Sequence, residues 1–226
     1  MSEAPQTTAA KGDDARPVSD EEIFEGILVE RTWVYRSIRS LCWLASRVVH
    51  RVKIEGLERL PEGGCLLASN HQSFVDIPLI AAVVPRHVSF VARDSLAKSK
   101  LLAYIMDRCG AVLVKRGAAD RRALREMSMH LKLGDCVSIF PEGTRTTDGT
   151  VGEFKGGALL AARMAGVPIV PMALRGAYRV LPRGKSVPRP AKVAVSFGHP
   201  IDPKSPGALK ELQAAVEEMV GDGEIR

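Results

Sequence analysis

His71 and Asp76 stand five positions apart in the segment Asn70-His71-Gln72-Ser73-Phe74-Val75-Asp76, directly after the apolar run Cys65 to Ser69. On a regular helix five residues amount to about 140° of rotation, so the two side chains cannot share a helix face. They meet when His71 occupies the turn before a helix and Asp76 lies in that helix's first turn. A carboxylate so placed fixes the imidazole tautomer and supports the imidazolium once the ring takes a proton. The pair is therefore suited to general-base work on a hydroxyl or a water. By itself the H-x4-D spacing is a weak signal, more often structural than catalytic.

Two other polar segments end apolar runs. Phe140-Pro141-Glu142-Gly143-Thr144-Arg145-Thr146 lies at the end of the apolar run Cys136 to Phe140. Its glycine permits close backbone approach, and its two hydroxyls and guanidinium supply donors, with Arg suited to bidentate phosphate recognition. The other is Gly110 to Arg116, a short apolar run that delivers Lys115 and Arg116 at its end. In sheets built from alternating strands and helices, ligands gather where strands end and helices begin. An ordinary polar loop is the competing reading of each segment.

Their joint occurrence and order decide between these readings. Asn70-His71-x4-Asp76, Gly110-x5-Arg116, Phe140-Pro141-Glu142-Gly143-Thr144-Arg145 and Val167-Pro168-Ile169-Val170-Pro171 resemble the four ordered blocks of the glycerolipid acyltransferase family. Its best-known members are the 1-acylglycerol-3-phosphate acyltransferases. The resemblance covers about residues 50 to 200, with one departure: the second block often carries a Phe before its Arg, and here the run is Val112-Leu113-Val114.

The resemblance implies that His71 removes the proton of an acceptor hydroxyl while Asp76 orients it. It also implies that Arg116, Glu142, Gly143, Thr144 and Arg145 bind the acceptor's glycerol-phosphate, that Asn70 braces the His71 turn, and that Pro171 shapes an acyl or acceptor channel. The acyl donor that the resemblance implies is a thioester, acyl-CoA or acyl-carrier protein, used as co-substrate with no further cofactor. The product it implies is phosphatidic acid, in phospholipid biosynthesis. No acyl-enzyme is needed, in keeping with the lack of a G-x-S-x-G elbow and of a cysteine beside the His-Asp pair. The alternatives are another lysolipid or an ornithine-type acceptor, a thioesterase or lysophospholipase using the same pair on water, and a non-catalytic membrane-binding module. Gly184-Lys185-Ser186 mimics the end of a P-loop, but Arg179 stands where the first glycine must be. His50, His87, His130 and His199 show no metal-ligand spacing and read as ordinary surface or core histidines, so no metal site is expected.

The elements needed to hold these segments can be read from periodicity and turn residues. Strands are expected at Val52 to Glu55, Cys65 to Ser69, His87 to Ala92, Ala111 to Lys115, Cys136 to Phe140, Pro168 to Leu174 and Lys192 to Phe197. Helices are expected near Phe74 to Val84, from Ser95 to Arg108 with Asp94 as cap, and from Ala119 to Leu133. Two more are expected at Gly156 to Ala165 and Gly207 to Val220. Such alternation predicts a single α/β domain over 51–226 with a mixed, mostly parallel sheet covered by helices. Ahead of it, residues 1–18 read as a disordered tail without the apolar core of a secretory signal. Ser19 and Glu22 then form a capping box opening an amphipathic helix or helical hairpin over 19–50. Trp33, Val34, Ile38, Leu41, Cys42, Ala45, Val48, Val49 and Val52 recur at spacings of three and four, with Trp43 and Leu44 widening the stripe. That stripe fits a membrane interface, a partner chain, or the domain's own core.

Composition bounds the rest. A chain of 226 residues, 46% hydrophobic and 26% charged, is an ordinary globular domain rather than a disordered or disulfide-dense one. Its uncharged runs, Ser40 to Ser46 and Ile77 to Pro85, fall well short of the roughly 18 to 20 apolar residues that span a bilayer. The four cysteines are dispersed without a C-x-x-C pair, as expected of a reduced, cytoplasmic chain. The formal charge of +6 is unevenly placed. Arg31 to Lys53 and Arg179 to Lys192 hold no acid, and Arg86 to Arg125 holds ten basic residues against three aspartates. Those stretches suit a phosphate-bearing substrate or an anionic membrane surface. Few aromatics interleave them, which argues against nucleic acid. The expected setting is the cytoplasmic face of a membrane, peripheral or monotopic.

Overall fold

The computed structural model describes residues 33–114 and 120–221. Arg116, the Ser19 and Glu22 capping box, and the 1–18 tail all fall outside the described residues. Three apolar runs form the centre of the sheet, β2 (Cys65–Ser69), β5 (Cys136–Ile139) and β6 (Ile169–Arg175). Helices cover both faces of these strands, so they read as continuous hydrophobic runs rather than as alternating ones. With β1 (Lys53–Glu55), β3 (Val88–Arg93), β4 (Val112–Val114) and β7 (Ala194–Phe197) they make, among the described residues, one seven-stranded sheet in the order β1-β7-β6-β2-β5-β3-β4. Every pairing is parallel except β6 with β7. The sheet is thus mixed and mostly parallel, as expected from the sequence.

Register sets where the loops emerge. Cys65 pairs with Cys136 and Leu66 with Ile169, so β2, β5 and β6 run side by side in one direction. The segments that follow β2 and β5 therefore leave the sheet at the same edge. This parallel alignment brings residues 70–76 beside residues 140–146.

Seven α-helices are described: α1 (Trp33–Val48), α2 (Asp76–Val83), α3 (Lys100–Arg108), α4 (Arg121–Lys132), α5 (Gly157–Ala165), α6 (Ala177–Val180) and α7 (Ala208–Gly221). One core cluster joins Leu79, Ile80 and Val83 of α2 to Leu67, Val170 and Met172 of the sheet. The other joins Met127 and Leu131 of α4, Ala158 and Ala162 of α5, and Leu212 and Val216 of α7 to Leu66, Val137 and Ile169. The expected helix Ser95 to Arg108 is divided into a 3-10 turn, Asp94–Lys98, and α3. Its cap is Ser99 and not Asp94: Ser99 adopts extended backbone, and its hydroxyl accepts from the Leu102 N–H at 3.4 Å. The short helix α6, which runs into the start of the third basic stretch, had no periodicity long enough to announce it.

One face of α1 docks on the domain. Tyr35 is buried, its hydroxyl accepts the Val88 N–H at 3.0 Å, and burial pushes its phenol up to about 12. Arg39 donates from Nε to the Ala81 carbonyl at 3.1 Å and from Nη2 to the Val84 carbonyl at 2.9 Å. Those carbonyls close α2, where the last turn of any helix lacks internal partners. The outer face leaves Leu41, Leu44, Val48 and Val49 exposed beside Trp43, over whose ring Arg47 lies at 5.6 Å. Among the described residues no helix is long and apolar enough to cross a membrane. Arg39→Ala strips two charge-assisted bonds from the end of α2 and should lower the unfolding free energy by about 1.5 to 3 kcal/mol, read from urea denaturation.

Candidate active site

Asn70 ends β2 by continuing its pairing with a side chain instead of the backbone. Its Nδ2 donates to the Leu174 carbonyl at 2.9 Å and its Oδ1 accepts the Leu174 N–H at 2.8 Å, so the amide clasps both backbone groups of a β6 residue. The chain turns away directly afterwards. His71 falls in that turn and Asp76 is the first residue of α2, the arrangement that the spacing requires for contact.

His71 is held from four sides. Its Nδ1 lies 2.8 Å from Asp76 Oδ2. Its ring stacks on Phe140 with centroids 3.9 Å apart and planes 14° from parallel. Its N–H donates to Glu142 Oε1 at 2.9 Å, and its carbonyl accepts the Thr146 N–H at 2.8 Å. The side chain keeps 17% exposure, so the ring is gripped at Nδ1 while part of it faces the surface.

Asp76 is fully buried, and Oδ2 also accepts the N–H groups of Gln72 and Ser73, each at 2.7 Å. Burial pushes its carboxyl above the usual carboxylate range, opposed by the His71 bond and charge and by those two amides. Three donors converging on Oδ2 leave that oxygen no room for a proton, Oδ1 is buried with no hydrogen-bond partner among the described residues, and the start of α2 favours negative charge. The arrangement therefore suits a carboxylate that receives the Nδ1 proton of a neutral imidazole, which places the lone pair on Nε2.

Glu142 lies behind His71. It is buried, burial raises its carboxyl, and the N–H groups of His71 and Gly152 hold it down in part. Gly152 has no space for a side chain, since a Cβ there would stand 2.9 Å from Glu142 Oε2. An acid so enclosed ties the end of β5 to the end of β2, with its Oε1 on the His71 N–H. Gly143 adopts a φ of 68°, in the left-handed region glycine enters freely, and it and Thr144 are exposed.

Arg145 sits with its guanidinium carbon 3.7 Å from the centre of the Phe74 ring. Its pKa is lowered by burial first and then by the charges of Arg183 and Arg93. Arg93 in turn donates to the Gly143 carbonyl. Three cations thus gather at this rim, where the charges of Arg183 and Arg93 make that of Arg145 costlier to hold, an electrostatic setting that favours an anion. Arg93 and Arg183 were visible only as members of basic stretches, and nothing in their local spacing marked them out. Arg116 lies outside the described residues. Pro171 is buried in β6, where its carbonyl accepts the Gly198 N–H at 2.8 Å.

The H-x4-D spacing occurs twice. His130 and Asp135 repeat it, with Nδ1 to Oδ2 at 3.1 Å and the Ser89 hydroxyl 3.0 Å from the same nitrogen, all three residues buried. This pair bridges α4 and the entry to β5, at the opposite end of the strands from His71. His130 is thus a partnered core histidine, and strand polarity rather than spacing separates the two pairs.

A His-Asp pair beside a cationic rim, where parallel strands end, has the chemistry suited to deprotonating a group on an anionic substrate. The family model described as Acyltransferase matches residues 51–175, and the chain belongs to that family. It is 31% identical over 196 residues to the 1-acyl-sn-glycerol-3-phosphate acyltransferase of Pseudomonas aeruginosa, covering 81% of this chain and 73% of that one. It is 36% identical over 141 residues to a chloroplastic 1-acyl-sn-glycerol-3-phosphate acyltransferase of Brassica napus, covering 60% of this chain and 40% of that one. The chain therefore spans about two fifths of the length of that plant relative. The crystal structure of the 1-acyl-sn-glycerophosphate (LPA) acyltransferase from Thermotoga maritima superposes with a TM-score of 0.75 at 31% identity, covering 90% of this chain and 87% of that one.

Glu142→Ala leaves the His71 N–H without its acceptor and should cost about 1 to 3 kcal/mol in urea unfolding, whereas Glu142→Gln, which keeps an acceptor oxygen, should recover the larger part.

Proposed function

We propose that this protein is a 1-acylglycerol-3-phosphate O-acyltransferase, moving an acyl group from a thioester to the free hydroxyl of its acceptor and forming phosphatidic acid. The observation that carries this reading is the His71–Asp76 pair set 2.8 Å apart beside the Arg93, Arg145 and Arg183 rim. The relatives' names supply the acceptor.

In the proposed mechanism the three arginines, with Arg116, hold the acceptor's phosphate, and Gly143 and Thr144 offer the approach beside it. His71 Nε2 accepts the proton of the acceptor hydroxyl as its oxygen attacks the thioester carbonyl. Asp76 holds the Nδ1 proton throughout and stabilises the imidazolium. Collapse of the tetrahedral intermediate expels the thiolate of CoA or of acyl-carrier protein, which takes the proton back from His71. Glu142 and Asn70 serve the step from behind, by fixing the turn that aims the ring. No acyl-enzyme arises, so transfer is direct from donor to acceptor.

The substrates are lipids, and the outer face of α1 suits the surface where they lie. Exposed Leu41, Trp43, Leu44 and Val48 form an apolar band edged by Arg36, Arg47 and Arg51. Such a helix binds an anionic bilayer in its interface, and the protein then works as a peripheral or monotopic enzyme on the cytoplasmic face.

His71→Ala should abolish acyl transfer from acyl-CoA or acyl-carrier protein to lysophosphatidate while the far-ultraviolet spectrum stays unchanged. Asp76→Asn should lower kcat by several orders of magnitude, because the wrong tautomer is then favoured. Thiol release measured with and without acceptor separates transfer from hydrolysis. A panel of lysophosphatidate, other lysolipids and a lyso-ornithine lipid identifies the acceptor, and full activity in the His71→Ala variant would overturn the mechanism. For the membrane role, Trp43→Glu with Leu44→Glu should weaken co-sedimentation with anionic vesicles by about tenfold or more, and added salt should weaken it further. Unchanged vesicle binding in that variant would assign the outer face of α1 another use.

A further inference from the structure

Away from the catalytic end, β2 and β5 begin side by side with Cys65 and Cys136 as register partners. Both are fully buried, and their sulfurs lie 3.6 Å apart. Arg86, in the turn between α2 and β3, reaches this pair with two of its nitrogens. Nε donates to Cys136 Sγ at 2.9 Å and Nη2 to Cys65 Sγ at 3.3 Å, while Nη1 donates to the Glu62 carbonyl. A neutral thiol is a weak acceptor, so a guanidinium that commits one donor to each of two adjoining sulfurs points to negative charge held by the pair. We infer that Cys65, Cys136 and Arg86 form a peroxide-sensitive dithiol site, in which Cys136 is the attacking thiolate and Cys65 the resolving thiol.

The geometry assigns the two roles. Cys136 has the shorter contact to the guanidinium and shares a hydrogen bond with Cys65. That bond and the Arg86 charge hold the Cys136 thiol below the ordinary value against the opposing effect of burial, and the shared proton and burial push the Cys65 thiol up. Asp135, the adjacent acid, opposes ionisation of Cys136, but its carboxylate is engaged by His130 at 3.1 Å. Neighbouring strands lie about 4.8 Å apart, inside the Cα separation that a disulfide tolerates. Bonding requires the sulfurs to close from 3.6 Å to about 2.05 Å, a movement within reach of side-chain rotation and a small strand adjustment. Arg86 is the partly exposed member of the cluster, so a small uncharged oxidant enters past its side chain.

The chemistry balances with a hydroperoxide as oxidant. Cys136 sulfur attacks the outer peroxide oxygen, the O–O bond breaks, and the alcohol or water leaves with a proton, giving a sulfenic acid. Cys65 sulfur then attacks Cys136 sulfur, the S–O bond breaks, and water leaves with the Cys65 proton. Two thiols are oxidised by two electrons, and one hydroperoxide is reduced. Cys42 has neither a thiol neighbour nor a cation on its sulfur among the described contacts, and burial pushes its thiol up.

The test uses the purified, reduced full chain exposed to hydrogen peroxide, blocked with an alkylating reagent and mapped by mass spectrometry without reduction. The expected first product is a Cys65–Cys136 linked peptide that dithiothreitol reverses, with Cys42 and Cys109 still alkylated. In Cys65→Ser the reaction should stop at a sulfenic acid on Cys136 that dimedone traps. In Cys136→Ser dimedone labelling of Cys65 should be at least about tenfold slower, since the cation then faces no reactive thiolate. Arg86→Met should slow formation of the link by about tenfold, and Arg86→Lys, which keeps the charge, should recover part of the rate. Oxidation of Cys42 or Cys109 with no Cys65–Cys136 link in the unmodified chain would overturn the inference. A link that forms equally fast in Arg86→Met would overturn it as well.

Discussion

A single carboxylate oxygen organises the working end of this protein. Asp76 Oδ2 receives the Gln72 and Ser73 N–H groups and His71 Nδ1, all within 2.8 Å. Those donors come from the loop that joins β2 to α2, so the oxygen shapes the loop at the same time as it aims the ring. Taking a charge out of water is expensive unless it is fully paired. The loop therefore cannot relax without abandoning a buried anion, and the conformation that would catalyse is also the one that folding favours.

Around that oxygen the fold supplies two braces. Asn70 clamps the end of β2 to β6 through both polar groups of Leu174, and Glu142 clamps it to the end of β5 through the His71 N–H. Phe140 adds a flat surface for the imidazole. Both braces are fully buried or nearly so, which leaves the cationic groups to face outward. The division is electrostatic: enclosed acids hold the imidazole and the N–H of His71, and the more exposed Arg93, Arg145 and Arg183 put their positive charge at the rim. The same logic in reverse appears at the other end of β2 and β5, where a cation stands over two buried sulfurs.

How much of this was legible beforehand depended on the range of the interaction. The central strands are unbroken apolar runs, and their placement follows from composition over a few residues, as at Cys65 to Ser69. The H-x4-D pair was legible as a pair, yet the identical spacing at His130 and Asp135 belongs to the core. Only the direction of the strands, which places one pair at the C-terminal ends of β2 and β5 and the other at their N-terminal ends, separates them. The break at Ser99 was missed because a single extended residue interrupts an otherwise helical stretch. Glu142 was legible as part of a polar loop, but its contact with the His71 backbone spans 71 positions and leaves no local trace.

By itself the amino-acid sequence determined the alternation of strands and helices, the parallel sheet that alternation requires, and the residue types able to move a proton and hold a phosphate. These follow from short-range periodicity and from side-chain chemistry, which do not depend on the path of the chain. The tertiary structure decided which of those residues meet. It set α1 with one face on α2 and the other exposed, enclosed Glu142, withdrew Pro171 into the sheet, brought Arg93 and Arg183 to Arg145, and stacked Cys65 on Cys136. Each of these depends on strand register and on burial, which are properties of contacts between distant segments and exist only once the sheet has closed.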